Sequence, residues 1–276
     1  MLAIKNNIMS ENAQRMVAVN YDALSKSVEK LSSGLRINSA ADDAAGLAVR
    51  ELIRADIAVL RQGARNAQDA ISLLQTGEAA LQVVDNLLVR MKELAEQAAT
   101  ESYSDTQRSM MNTEFTQMKD EVDRIAESTN FNGTNLLNSA SDTLRIQVGT
   151  GNTANDRITV NLVDTSTGAR GLDIAAVGIS TVNAAASAVA SLDSAISAKD
   201  SARAAFGSKI NRLDATIGIL NVQAENLMAA ESRISDVDVA QEMSALTRNQ
   251  VMAQAGVAML AQANSMPQLA LQLLRG

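Results

Sequence analysis

The chain has 276 residues, 31 carboxylates against 24 basic side chains and a formal net charge of −7, a balance that opposes binding to a phosphate backbone, which takes a basic face. It contains no His, Cys or Trp; this removes the commonest general acid/base and metal ligand, together with thiolate nucleophiles, zinc knuckles and disulfides. Hydrophobic residues make up 46% of the chain and aromatics only 2%, so Ala, Leu, Ile, Val and Met carry the burial, as in thin helical rods rather than a thick globule.

The opening segment MLAIKNNIMSENAQR is interrupted by Lys5, Glu11 and Arg15 and offers no continuous apolar stretch for a cleaved secretory signal. A helical seam then runs Met9, Ala13, Met16, Asn20, Leu24, Ser27 and Leu31 at the 3–4 spacing of one helix face. It ends in LSSGLRINSAADDAAGLAVR, residues 31–50, where polar and helix-breaking residues are unusually dense. Gly34 has the place of a helix C-cap, Leu35 to Ile37 read as an extended crossing, and Asn38, Ser39, Asp42 and Asp43 precede a new helix near Ala44. Acidic side chains at such a start accept free N–H groups and favour the macrodipole. The stretch is a joint between two rods.

The next seam is stricter: Ile53, Ile57, Leu60, Ala64, Ala67, Ile71 and Leu74, resuming at Leu81, Val84, Leu88, Met91, Ala95 and Ala98 after a phase adjustment near Glu78. As one helix, residues 44–99 would reach about 80 Å at ~1.5 Å per residue, which predicts an elongated molecule. A third seam, Met111, Phe115, Met118, Val122 and Ile125, is opened by Ser104 and Gln107 in a capping-box spacing. The β-branched runs TLRIQVG (143–149) and DRITVNLV (156–163) flank Gly149, Gly151 and Asn152, a hairpin signal, and residues 166–171 read as a loop. Helical periodicity returns from Val182, with Phe206, Ile210, Leu213, Ile217, Leu220, Ala224 and Leu227. After Ser235 comes Val239, Met243, Leu246, Gln250, Ala253, Val257, Leu260 and Asn264, with Asp236 and Asp238 at its start. Its most apolar part, VMAQAGVAMLAQA (251–263), is too short and too rich in Gln to span a bilayer. The fold class expected is mainly α: an antiparallel helical bundle or coiled coil with a small β-hairpin region at about 141–181.

Motifs that suggest chemistry have plainer readings. GTGNTA (149–154) lacks the third glycine of a dinucleotide fingerprint and precedes a strand rather than a helix, so it is a hairpin turn. Ser27-Val28-Glu29-Lys30 matches S-x-x-K, which chance supplies on any polar helix face. Asn132-Gly133-Thr134 is a formal glycosylation sequon, but Asn-Gly is first a turn signal. No catalytic constellation, cofactor site or metal site remains, and the chain reads as a non-enzyme.

Several motifs in order resemble the bacterial flagellins. LSSGLRINSAADDAAGLAV is similar to the family's N-terminal signature, supported by RNAQDAISLLQTGEAAL (65–81), EVDRIAESTNFNGTNLL (121–137), AAESRISDVDVAQEM (229–243) and QAGVAMLAQANSMPQLALQLL (254–274). The resemblance covers about 1–138 and 185–276, and the short middle leaves no room for large variable surface domains. It implies a secreted subunit that self-assembles into the flagellar filament for motility. Residues 1–43 and 236–276 would form an inner core, and 44–235 an outer core.

The joint at Gly34, Arg36, Asn38, Asp42 and Asp43 would link these parts. Assembly would rest on Val239, Met243, Leu246, Val257, Leu260, Leu269, Leu273 and Leu274. The implied partners are further copies of the chain, the hook-associated junction and cap proteins, and the flagellar export chaperone with its secretion apparatus. Toll-like receptor 5 would be met by a surface at Leu88, Arg90, Glu93, Leu94, Gln97 and Glu114. Neither nucleic acid nor membrane is expected. The alternatives are a hook–filament junction protein, which departs from this pattern at the joint and lacks the QAG…AQAN…PQ ending, and a coiled-coil signalling protein, which would need a membrane anchor and an unbroken heptad hairpin.

Overall fold

The computed structural model of the chain describes residues 6–139 and 142–273, with side chains as far as residue 266. Five α-helices carry most of it: α1 (Ile8–Ser33), α2 (Ala44–Ala99), α3 (Asp105–Ser128), α4 (Val182–Ser235) and α5 (Val239–Leu273). Between α3 and α4 lie two antiparallel two-stranded sheets, β1 (Asn130–Phe131) with β2 (Thr134–Asn135) and β3 (Thr143–Gln147) with β4 (Arg157–Asn161). The chain divides into two compact units, Met1–Ala55 with Asn226–Gly276, and Asp56–Glu225.

In the second unit, the periodic apolar positions of the sequence become the core. Val84, Leu88, Met91, Leu94, Ala95 and Ala98 of α2 pack with Phe115, Val122 and Ile125 of α3 and with Ala185, Ala188, Leu192 and Ala195 of α4. The phase adjustment expected near Glu78 is not a break: α2 is continuous, and Gly77 fills the gap in the stripe because the Phe206 ring lies where its side chain would be. The capping box at α3 forms, the Ser104 N–H donating to Gln107 Oε1 at 2.9 Å and the Gln107 N–H to Ser104 Oγ.

Asn132 and Gly133 both have positive φ, 49° and 81°, and turn the chain from β1 to β2, as a two-residue hairpin of the Asn-Gly type requires. In the β3–β4 hairpin Ile146 pairs with Ile158 and Leu144 with Val160. The hairpin's turn is held by the Asp156 carboxylate, which accepts the Thr153 N–H at 2.9 Å and its hydroxyl at 2.6 Å; these two bonds hold the carboxyl below its ordinary pKa. Asn66 of α2 donates to the Gln147 carbonyl at 2.9 Å and seats this hairpin on the helix.

The segment read as a loop does more than connect. Leu172, Ile174 and Ile179 are buried in the helical core. The Asp123 carboxylate accepts the Thr167 N–H and hydroxyl, both at 2.7 Å, and Asn112 Oδ1 accepts the Ile179 N–H at 2.8 Å. Lys119 donates to the Ala175 and Val177 carbonyls.

In the first unit, α1 and α5 run antiparallel against each other. Asn7 Nδ2 donates to the Ala263 carbonyl at 2.9 Å and Ser10 Oγ to Asn264 Oδ1 at 2.7 Å; Asn20 Nδ2 reaches the Met252 carbonyl at 3.3 Å, and Asn249 Nδ2 the buried Ser27 Oγ at 3.4 Å. Small residues let the helices approach closely near the middle of α5. Ala253 and Ala263 are buried, and a side chain on Gly256 would meet Val17 Cγ2 at 2.9 Å.

Candidate assembly surface

The turn that follows α1 lies inside the first unit, whereas the chain passes between the two units at residues 55–56 and 225–226. Gly34 takes φ +73° and its N–H donates to the Lys30 carbonyl at 2.9 Å, the C-cap of α1. Leu35 then bridges to Asp236 in antiparallel fashion. The Arg36 N–H donates to the Ser235 carbonyl at 2.6 Å and the Val237 N–H to the Gly34 carbonyl at 3.0 Å. Arg36 Nη2 adds a bond to the Ile234 carbonyl at 2.7 Å. The turn after α1 and the turn between α4 and α5 are thus one object. Arg50, buried, donates from Nη1 to the Ile37 carbonyl at 2.8 Å and from Nη2 to Glu51 at 2.8 Å. That hydrogen bond holds the Glu51 carboxyl below its ordinary pKa.

The aspartates of the joint divide their roles. Asp43 Oδ1 accepts the Gly46 N–H at 2.9 Å, and Asp238 Oδ1 accepts the Ala240 and Gln241 N–H groups at 2.9 and 3.1 Å, so both cap helices as expected. Asp42 and Asp236 do not. Asp42 Oδ2 gathers the Ser39 N–H and hydroxyl and the Asn38 N–H, which fold the crossing into a turn and lower the carboxyl's pKa. Asp236 accepts the Ser232 hydroxyl at 2.6 Å, closing the last turn of α4. Sequence position alone could not separate cap from turn, since adjacent aspartates have equal propensity and only one of each pair stands at the cap geometry.

The faces of α1 and α5 depart from the heptad reading in an informative way. Ala13, Asn20, Leu24, Ser27 and Leu31 face the partner helix, but Met9 and Met16 point to solvent, 63% and 61% exposed. On α5, Leu246, Ala253 and Leu260 turn inward, whereas Val239, Met243 and Val257 are exposed, and Asn249 rather than Gln250 meets Ser27. Asn264, placed in the seam by the sequence, is exposed and joins it only through its bond to Ser10. Close approach is local: Asn20 reaches the Met252 carbonyl and Gly256 meets Val17, so Ala253 and Gly256 fit there, while Leu24, Leu31, Leu246 and Leu260 fill the rest of the seam. Several bulky apolar groups stay outside the pair: Ile8, Val19, Val251, Met252 and Met259 are exposed as well. Leu274 lies outside the described residues, as do the side chains of Leu269 and Leu273.

Of the surface expected on α2 and α3, Arg90, Glu93 and Glu114 form a charged cluster, Gln97 is exposed beside another partner, and two residues are buried. Arg90 is paired with Glu93 at 3.0 Å and with Glu114 of α3 at 3.2 Å, and Gln97 donates to the Tyr103 hydroxyl at 3.0 Å. The hydrogen bonds to Glu93 and then Glu114 raise the Arg90 pKa. Leu88 and Leu94 are buried in the helical core and are removed from this surface; their apolar side chains follow the stripe that α2 turns toward α3 and α4.

One charged cluster was not anticipated from the sequence. Lys199 of α4 is buried, 2% exposed, and its ammonium pairs with Asp85 of α2 and, at 2.7 Å, with Asp200. Burial pushes its pKa down, and the hydrogen bonds to Asp200 and Asp85 more than offset this, so the net shift is upward. The one signal in the sequence is Lys199 itself, seven residues from both Leu192 and Phe206 of the buried α4 stripe.

The family models for the bacterial flagellin N-terminal and C-terminal helical regions match residues 4–142 and 189–274. The chain belongs to the bacterial flagellin family. Among its relatives is the flagellin of Halalkalibacterium halodurans, 44% identical over 99% of this chain and the whole of that protein. The flagellin of Bacillus subtilis is 40% identical, again over 99% of this chain and all of the relative. The crystal structure of Bacillus cereus flagellin, 37% identical, covers 60% of this chain and 94% of that one with a TM-score of 0.51. This flagellin is therefore a short form without large variable domains, a structural subunit of the bacterial flagellar filament and not an enzyme. The junction-protein and signalling alternatives are not favoured.

Proposed function

We propose that this flagellin joins the filament through the outward faces of its terminal helices, residues 1–43 and 236–276 acting as the inner core and 44–235 as the outer core. The observation that carries this reading is the apolar outer face of the α1–α5 pair: its seam is already filled by Leu, Ala, Gly and Asn–carbonyl bonds, yet Val, Ile and Met side chains stay exposed outside it. A contiguous apolar surface of this kind marks a protein–protein contact. Further copies of the chain, added head to tail, cover it in a polymer that does not close on itself. The polar contacts inside the pair fix its register, as a buried Asn does in a coiled coil. The joint holds the two terminal segments to each other at Leu35 and Asp236.

The remaining partners follow the same logic. An export chaperone would cover the apolar C-terminal helix before secretion, and the junction and cap proteins would meet the same faces at the filament's two ends. The Arg90–Glu93–Glu114 cluster with Gln97 is exposed and supports recognition by Toll-like receptor 5. The test of the core assignment is deletion of residues 1–43 and 236–276. The remaining chain is expected to stay helical, melt cooperatively and fail to polymerise under conditions that polymerise the full chain, read by circular dichroism and electron microscopy. Filaments from the doubly truncated chain would overturn the assignment.

A further inference from the structure

The exposed faces of α1 and α5 share one chemical feature, the thioether. Met9 and Met16 on α1 and Met243, Met252 and Met259 on α5 are between 47% and 65% exposed. Met9 and Met16 stand seven residues apart, as do Met252 and Met259, so each pair lies along one helix face two turns apart. Methionine fills irregular apolar gaps well because it is flexible, but its sulfur is open to two-electron oxidants wherever water reaches it.

We propose that these five methionines form an oxidation-sensitive modification site that controls whether the subunit can assemble. The proposal rests on the assembly reading above. The oxidant class is a peroxide. A sulfur lone pair attacks one peroxide oxygen, the O–O bond breaks, a sulfoxide S=O forms and water leaves; sulfur loses two electrons and the peroxide gains them. The product carries a strong hydrogen-bond acceptor in place of an apolar sulfur. Neighbours of these five on α1 and α5 include the apolar Ile8, Ala13, Val19, Val239, Val251 and Ala255 beside polar side chains such as Thr247 and Gln262, and Asn20 is already bonded across the pair to the Met252 carbonyl. A sulfoxide buried by an incoming subunit at an apolar contact is left without a partner and opposes association. Each sulfoxide is expected to weaken subunit addition about tenfold. In a finished filament the same sulfurs are covered. Oxidation therefore acts on the subunit before assembly, and polymerisation protects against it.

Met110 supplies the internal control. It is 70% exposed and lies on α3, outside the terminal pair. The experiment treats full-length monomer and preformed filaments with hydrogen peroxide beside N-acetylmethionine as a rate reference, and reads sulfoxide at each position by peptide mass spectrometry. The five are expected to oxidise in the monomer at rates within a few fold of Met110, and at least tenfold more slowly in filaments. Oxidised monomer should show a critical concentration at least tenfold higher. Measured against its own untreated protein, a chain with all five changed to Leu should show a far smaller peroxide-induced rise in critical concentration than the parent, whereas M110L alone should remain as sensitive as the parent. Normal assembly of fully oxidised chain, equal oxidation of the five in monomer and filament, or equal peroxide sensitivity of the five-Leu chain would each overturn the proposal. Should untreated parent chain form no filaments at all, the assembly reading itself falls, a separate and distinguishable failure.

Discussion

Replacing Gly63 by Ala should destabilise the Asp56–Glu225 unit, although Gly to Ala inside a helix ordinarily stabilises by up to about 1 kcal/mol. Gly63 lies in α2 beneath the β3–β4 hairpin. A Cβ there would overlap the Val148 carbonyl oxygen and stand 3.0 Å from its carbon and 3.3 Å from Val148 Cα. Carbon–carbon contacts are comfortable at about 3.5–4.0 Å, so the hairpin must lift by close to 1 Å. Backbone cannot rotate out of the way as a side chain can. Overpacking of this kind costs about 1–3 kcal/mol, and lifting the hairpin also strains the Asn66–Gln147 bond one turn away, worth about 1 kcal/mol. Against the helix-propensity gain the net loss is about 2 kcal/mol. For a unit of this size that lowers the melting midpoint by about 4–8 °C. Gly218, in α4 with nothing within 4 Å of its added Cβ, is the counterpart, and Gly218→Ala should raise the midpoint by about 2–4 °C. The assay is thermal unfolding of unpolymerised protein followed at 222 nm. Equal increases for both variants would refute the claim that close backbone approach, rather than composition, placed Gly63.

Acid should be the sensitive side of the pH profile. Hydrogen bonds from Ser39, Arg50, Arg124 and Thr153 lower the carboxyls of Asp42, Glu51, Glu121 and Asp156 respectively. Their stabilisation is therefore present above the ordinary carboxylate value near pH 4 and is lost as pH falls through the lowered values. The hydrogen bond to Asp193 raises Lys92, and Lys199 is raised on balance, so their contribution persists below about pH 10.4 and fades above it. Melting temperatures and filament stability should be flat from pH 6 to 8 and fall below about pH 4; a midpoint near pH 6.5 would contradict the scheme, because the chain has no His. Changing Asp85 to Ala leaves the buried Lys199 ammonium with only Asp200 and should cost about 2–3 kcal/mol, seen as a lower midpoint that Lys199→Met in the same chain largely restores. Arg90→Ala removes exposed ion pairs and should change stability by under about 1 kcal/mol while reducing receptor activation by monomers; unchanged activation would remove this cluster from the receptor surface.

Periodicity made the long helices legible, because a buried stripe on an α-helix must recur every three or four residues and α2, α3 and α4 keep that rule for many turns. Gly34 and the Ser104–Gln107 box were legible for a different reason: each is a local solution to unsatisfied backbone groups and needs no tertiary context. The pairing of Leu35 with Asp236 left no trace, since it joins two turns by backbone groups that every residue possesses. Nor could composition show that Met243 and Val257 face outward while Ala253 and Gly256 face in. On a helix whose polar and apolar residues are spread nearly evenly around it, the inner stripe is chosen by how closely the partner can approach, which depends on the residues of α1. Leu88 stood in the α2 seam already; only the family resemblance placed it and Leu94 on a surface, and the contacts of α2 with two other helices bury both.

The bridge between Leu35 and Asp236 makes the flagellin behave like a socket with two wires. The joint closes one loop over all the chain between the two turns, so the length of that intervening chain is invisible to it. Closing a longer loop costs only about 0.6 kcal/mol for each doubling. A guest domain with adjacent ends, spliced into the exposed Ala169–Arg170 turn beyond the second hairpin, should therefore leave the terminal helices and their register untouched. The same tether orders events as the chain emerges from its N-terminus: Arg36 has no carbonyl to meet until Ser235 has arrived, so the joint is set only after the second unit has had the chance to fold.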